Sequence, residues 1–133
     1  MKHSALAVIA AMCCAFSGAT LAMDKAEHKA QKDKISADYK AAKSSCAPLK
    51  DNAKDICEVE AKGKYKVANA TLEAQFKPSP SHDRKVMEEK AEAAYELAKE
   101  KCDDMKGEAK DSCKKEAKAA QASAKAQAKA TKG

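Results

Sequence analysis

The sequence predicts an all-α protein: two tandem helical hairpins, each closed by a disulfide, able to dock as an antiparallel four-helix bundle. Three observations carry this: the composition, an internal repeat and the spacing of four cysteines. From Asp24 onward, Ile, Leu, Val and Phe together number nine, whereas alanine occurs 24 times after position 22. So few large apolar side chains do not close an ordinary core. Alanine mixed with Lys, Glu and Gln instead makes long, thin helices. The same arithmetic argues against a nucleotide-binding α/β enzyme, a β-sandwich or a fold with a deep ligand pocket.

The first element is an address. Lys2 and His3 precede an uncharged run from Ala5 to Leu21, with Thr20 and Ala22 at the −3 and −1 positions of a cut after Ala22. This is the pattern of a secretory signal peptide over residues 1–22. The run is at the short end for a membrane span, which needs about 20 apolar residues. Its removal takes Cys13 and Cys14 away and leaves no transmembrane segment. The expected destination is the periplasm or exterior of a Gram-negative bacterium. The remaining cysteines, Cys46, Cys57, Cys102 and Cys113, are even in number and meet an oxidising compartment, so disulfides are expected.

Two copies of one unit follow. A shift of 56 positions places Tyr39 on Tyr95, Cys46 on Cys102, Lys50 on Lys106 and Cys57 on Cys113; twelve of the 24 positions from Tyr39 to Lys62 are identical. Shared Ala/Lys bias does not align two tyrosines and four cysteines, so this is a true repeat. The division is residues 23–76 for the first hairpin, 77–83 for a Pro/Ser hinge, 84–113 for the core of the second hairpin, and 114–133 for a Lys/Ala-rich C-terminal helix or tail. In the hinge, Pro78 and Pro80 stop a helix, and Ser79 is an N-cap with proline behind it. Asp24 with Glu27 forms a capping box for the first helix.

Within the first unit, Ile35, Tyr39, Ala42, Cys46 and Leu49 step as a helical seam, and Cys57, Ala61, Tyr65, Ala68 and Leu72 form its partner. Lys50-Asp51-Asn52 is the turn between them, with Asn52 as N-cap. In the second unit the seams are Met87, Ala91, Ala94 or Tyr95, Ala98, Cys102, Met105 and then Ala109, Cys113, Ala117, Ala120, Ala124. Gly107 sits where a helix-ending glycine belongs. Gly63 is a blemish in its helix, costing about 1 kcal/mol.

The cysteine spacing tests the turns independently. On one straight helix the two cysteines of a unit would lie about 16 Å apart, too far for a disulfide, whose Cα atoms are about 4.4–6.8 Å apart. A bond within the unit therefore requires the chain to fold back between them, and the midpoints fall on the two turn clusters. The rival is cross-pairing of Cys46 with Cys113 and Cys57 with Cys102, each C-x10-C then being continuous helix. Local pairing is favoured, because cross-pairing encloses the proline hinge.

The pattern Y-x2-A-K-x2-C-x3-K-x2-A-K-D-x-C-x2-E-A-K behind a signal peptide resembles small secreted Ala/Lys-rich Cys-repeat proteins of β-proteobacteria, some of them labelled TolA-like cell-envelope proteins. The resemblance covers about Lys34 to Lys118 and implies a secreted protein. It transfers no functional residues.

The charge is uneven. From Met23 to Cys113, 19 basic and 19 acidic residues balance, and the excess lies in Lys114, Lys115, Lys118, Lys125, Lys129 and Lys132 against Glu116. These lysines are the candidate contacts for anionic polymers such as lipopolysaccharide, phospholipid or nucleic acid. With no aromatic interleaved, specific nucleic-acid recognition is not expected. Elsewhere the charges are those of solvated helix faces.

No C-x-x-C, haem-attachment, phosphate-loop or nucleophile-elbow motif occurs. Asp24 with His28, and His82 with Asp83, are surface pairs rather than ligand sets. The expectation is no catalytic residue, metal or cofactor, and a structural or interaction role toward an envelope protein or anionic polymer. Self-association through helix faces is open to such a molecule.

Overall fold

The computed structural model describes residues 22–131. The expected signal peptide with Cys13 and Cys14, and Lys132 at the far end, lie outside the described residues. Four helices follow: α1 (Lys25–Cys46), α2 (Asp51–Phe76), α3 (Pro80–Cys102) and α4 (Gly107–Ala130).

Local chemistry sets the boundaries. Asp24 caps α1 by accepting the Glu27 amide at 2.8 Å. The capping box is only half formed, because the Glu27 carboxylate accepts from Gln31 instead of reaching back. Ser79 caps α3 by accepting the His82 amide, with Pro80 in the first turn. The break between α2 and α3 is therefore just Lys77–Ser79, shorter than the expected hinge, and residues 80–83 are helical. α4 continues unbroken past Cys113, so the lysine-rich segment is helix as far as Ala130.

The two hairpin turns share equivalent backbone bonds at the reversal. The Leu49 amide donates to the Cys46 carbonyl and the Met105 amide to the Cys102 carbonyl, both at 3.0 Å. Asp51 and Gly107, 56 positions apart, both take the left-handed conformation, with φ of 52° and 56°. Each is the first residue of its helix, so Gly107 opens α4 instead of closing α3. Asn52 is not a cap either. It lies in the first turn of α2, and its Nδ2 donates to the Glu100 carbonyl of α3 at 2.9 Å.

The seams hold, with three corrections. Leu49 and Met105 are exposed because α1 and α3 end at the preceding cysteines, which leaves both side chains in the turns. In α3, Ala91 is buried while Ala94 is exposed. In α4 the buried line passes through Ala117 and Ala128 by way of Gln121, leaving Ala109 and Ala120 exposed. The fully sequestered residues are Cys46, Ala61, Gly63, Leu72, Ala91, Cys102, Ala117 and Ala128. Alanine and sulfur make up most of this core, which only narrow interhelical spacing permits.

The hairpins dock through α2 and α3. At the crossing stands Gly63: a Cβ built there would lie 2.9 Å from the Cβ of Ala93, inside contact distance. The glycine is what lets these two helices approach so closely. Among the described residues, close packing joins only successive helices: α1 to α2, α2 to α3 and α3 to α4. Tyr65 of α2 meets α1, whereas Gly63 meets α3. These positions are about 160° apart around the helix at 3.6 residues per turn. The bundle is thus an open row, one helix thick, with two broad faces.

Candidate functional site

Two covalent clasps define one end of the row. Cys46 is bonded to Cys57 and Cys102 to Cys113, with Cα separations of 5.6 and 5.7 Å. The pairing is the local one, and the cross-paired alternative is excluded. The sulfurs bond where α1 meets α2 and α3 meets α4, beside the reversals that the spacing required. All four cysteines are therefore bonded, and no thiol remains among the described residues for redox or metal chemistry.

Ion pairs reinforce the second clasp. Asp103, just past α3, receives Lys110 at 2.8 Å and Lys114 at 2.7 Å. Hydrogen bonds from those two ammonium groups hold its carboxyl down at about 2. The first hairpin has no counterpart, because the shift of 56 puts Ala47 at that position. Further along, Glu92 accepts from both Lys125 and Gln121 of α4, at 2.8 and 2.7 Å. The Lys125 bond, followed by its charge and by Gln121, lowers the Glu92 carboxyl below its ordinary range. Glu92 thus turns to α4 rather than to its own helix surface.

The candidate anion-contacting lysines divide accordingly. Lys114 and Lys125 are engaged with Asp103 and Glu92. Lys115, Lys118 and Lys129 are exposed. At 3.6 residues per turn these five lysines fall within about 100° of arc, so they form one stripe along α4. Lys132, the sixth, is outside the described residues.

Aromatic rings join α1 to α2. Tyr39 stacks on Tyr65 with centroids 4.7 Å apart, which makes it a packing residue. Among the described residues its repeat equivalent Tyr95 has no such partner, because Gln121 occupies the position matching Tyr65. His28 leaves Asp24 to its cap and packs across to α2: its ring stacks on Phe76 at 4.1 Å, and its Nε2 is 3.0 Å from Glu73 Oε1. The Nδ1 of His82 bonds the Lys77 carbonyl and steadies the α2–α3 corner. Among the described residues, no group of three or more His, Cys, Asp or Glu is placed to hold a metal ion.

The two faces differ in chemistry. One carries two adjoining grooves, of about 310 Å³ between α1 and α2 and about 420 Å³ between α2 and α3, which share Lys64 and Ala68. Ile35, Tyr39, Tyr65, Val67 and Leu97 supply most of their apolar lining. On the other face the depressions share Lys66 and are lined mainly by lysines and glutamates. Sequence reasoning missed Gly63, Asn52 and Glu92 as docking residues. Each forms its contact across helices, which helical periodicity does not register.

Among the described residues, no helix is long and apolar enough to cross a membrane. Comparison with protein-family models, curated proteins and solved structures finds no match.

Proposed function

We propose that this is a non-enzymatic protein of the periplasm or cell exterior that acts in the envelope as a structural or interaction module, presenting helix faces to other components. The observation that supports this reading is the pair of disulfides clasping an open helical row. Such bonds persist in oxidising compartments, and a row one helix thick offers surface instead of an enclosed reaction chamber. Osmotic-shock fractionation with free-thiol titration tests it. The protein is expected in the periplasmic or secreted fraction, cut near Ala22, with all four cysteines oxidised. Retention in the cytoplasm with reactive thiols would remove the proposal.

The lysine stripe of α4 favours a second reading, a binder of anionic envelope polymers. Lys115, Lys118 and Lys129 are exposed on the same arc, and fixed charges so aligned attract a polyanion by a screened, salt-sensitive force. Binding to lipopolysaccharide should then weaken steeply on raising salt to about 0.5 M. It should also fall when the three lysines are replaced by glutamine. Binding indifferent to both would leave the stripe as a solvated helix surface.

A further inference from the structure

We propose that the grooved face is the contact surface for a second copy of this chain, the two rows packing face to face about a two-fold axis running along α2. This assignment does not depend on the envelope role.

Of the nine Ile, Leu, Val and Phe residues after Asp24, only Leu72 is fully buried. Ile35, Val67 and Leu97 are instead only partly buried around the grooves. Helical domains ordinarily bury such a face beneath a second layer, and the described residues form one layer. Helices of 22–26 residues are about 33–39 Å long. Three of them spaced about 9 Å apart present a footprint of roughly 900 Å². A stable interface needs about 800 Å² from each partner.

Only Asp38, Glu60, Lys64 and Lys90 are charged around the two grooves, two of each sign. The opposite face has five lysines and five glutamates around its depressions, besides the α4 stripe. Desolvating that many charges costs far more than covering four, so the grooved face is the one to bury.

Tyr39 is level with Tyr65 across the α1–α2 seam, and Ala93 with Gly63 across the α2–α3 seam. Counting along the antiparallel helices from these points places Asp38 of α1 and Lys90 of α3 at nearly the same height. A two-fold axis along α2 lays α1 of one copy over α3 of the other. Asp38 then meets the second copy's Lys90, and the contact occurs twice, as a self-complementary interface requires.

Sedimentation velocity of the oxidised full-length exported chain tests this. The wild type should be a dimer at about 100 μM, with Asp38→Lys and Lys90→Glu each weakening dimerisation about tenfold or more. The double variant, with the charges exchanged, should recover most of the loss. Circular dichroism checks that each variant keeps its helices; should either fail to fold, Ala94→Glu in the α2–α3 groove replaces it and should also dissociate the dimer. A monomeric wild type overturns the proposal, as does a dimer indifferent to these changes or a monomer that instead coats phosphatidylcholine vesicles.

Discussion

Asp51 and Gly107 occupy equivalent turn positions with nearly the same backbone angles, yet only one is the residue type suited to them. A left-handed conformation costs an ordinary L-residue roughly 1–2 kcal/mol, less for aspartate, and costs glycine almost nothing. Asp51→Gly should therefore stabilise the first hairpin by about 0.5–1 kcal/mol. Gly107→Ala should destabilise the second by about 1 kcal/mol. Nothing lies within 4 Å of a Cβ at Gly107, so that loss would be purely one of backbone strain. Thermal melts of the two variants, shifting in opposite directions, check the pair. Gly63→Ala is a different case. Better helix propensity should be outweighed by the collision with Ala93, for a net loss of about 1–3 kcal/mol. Adding Ala93→Gly should restore much of it, whereas a merely local effect at Gly63 would leave the second change without benefit.

At the scale of the element, each hairpin depends on its clasp. Closing a loop of this length stabilises by roughly 2–3 kcal/mol in the chain-entropy model, a large share for helices packed through alanine. Replacing Cys46 and Cys57 with serine should unfold mainly α1 and the start of α2, while α3–α4 keeps its own bond and the Asp103 ion pairs. Far-UV circular dichroism should show partial helix loss in that variant and a sharp loss on full reduction. Unchanged spectra after reduction would contradict this.

The hairpins themselves were legible from the sequence, because two requirements met at the same residues. Cysteines eleven apart can bond to each other only where the chain folds back, and the turn formers stood at the midpoints. The face of α4 was less legible. Ala117, Ala120, Ala124 and Ala128 have identical side chains, and neither volume nor polarity tells Ala120 from its neighbours. The choice fell to Gln121, through a hydrogen bond to Glu92 on another helix. Gly63 read as a defect for a related reason: a missing side chain is informative only once the opposing helix is known.

For the molecule as a whole, acid should loosen the second hairpin before the first. Lys110 and Lys114 hold the Asp103 carboxyl at about 2, and Lys125 with Gln121 lowers that of Glu92. A carboxylate that titrates lower folded than unfolded contributes its full stabilisation above the ordinary range. That contribution is lost as pH falls through about 4 toward about 2. Both groups join α3 to α4. Melting temperature should therefore fall between about pH 5 and about pH 2, with less dependence on pH in Asp103→Asn. A first-hairpin probe melting earlier in acid would contradict the assignment.

Among the described residues, the bonded cysteines are nearest neighbours along the chain, Cys46 with Cys57 and Cys102 with Cys113. A polypeptide threading out of a translocation pore presents its sulfurs in that same order. A catalyst that oxidises each pair as it emerges makes the native bonds at once, with no proofreading isomerase to shuffle mistakes. If the chain is exported as proposed, maturation should then proceed at normal yield in cells lacking such an isomerase.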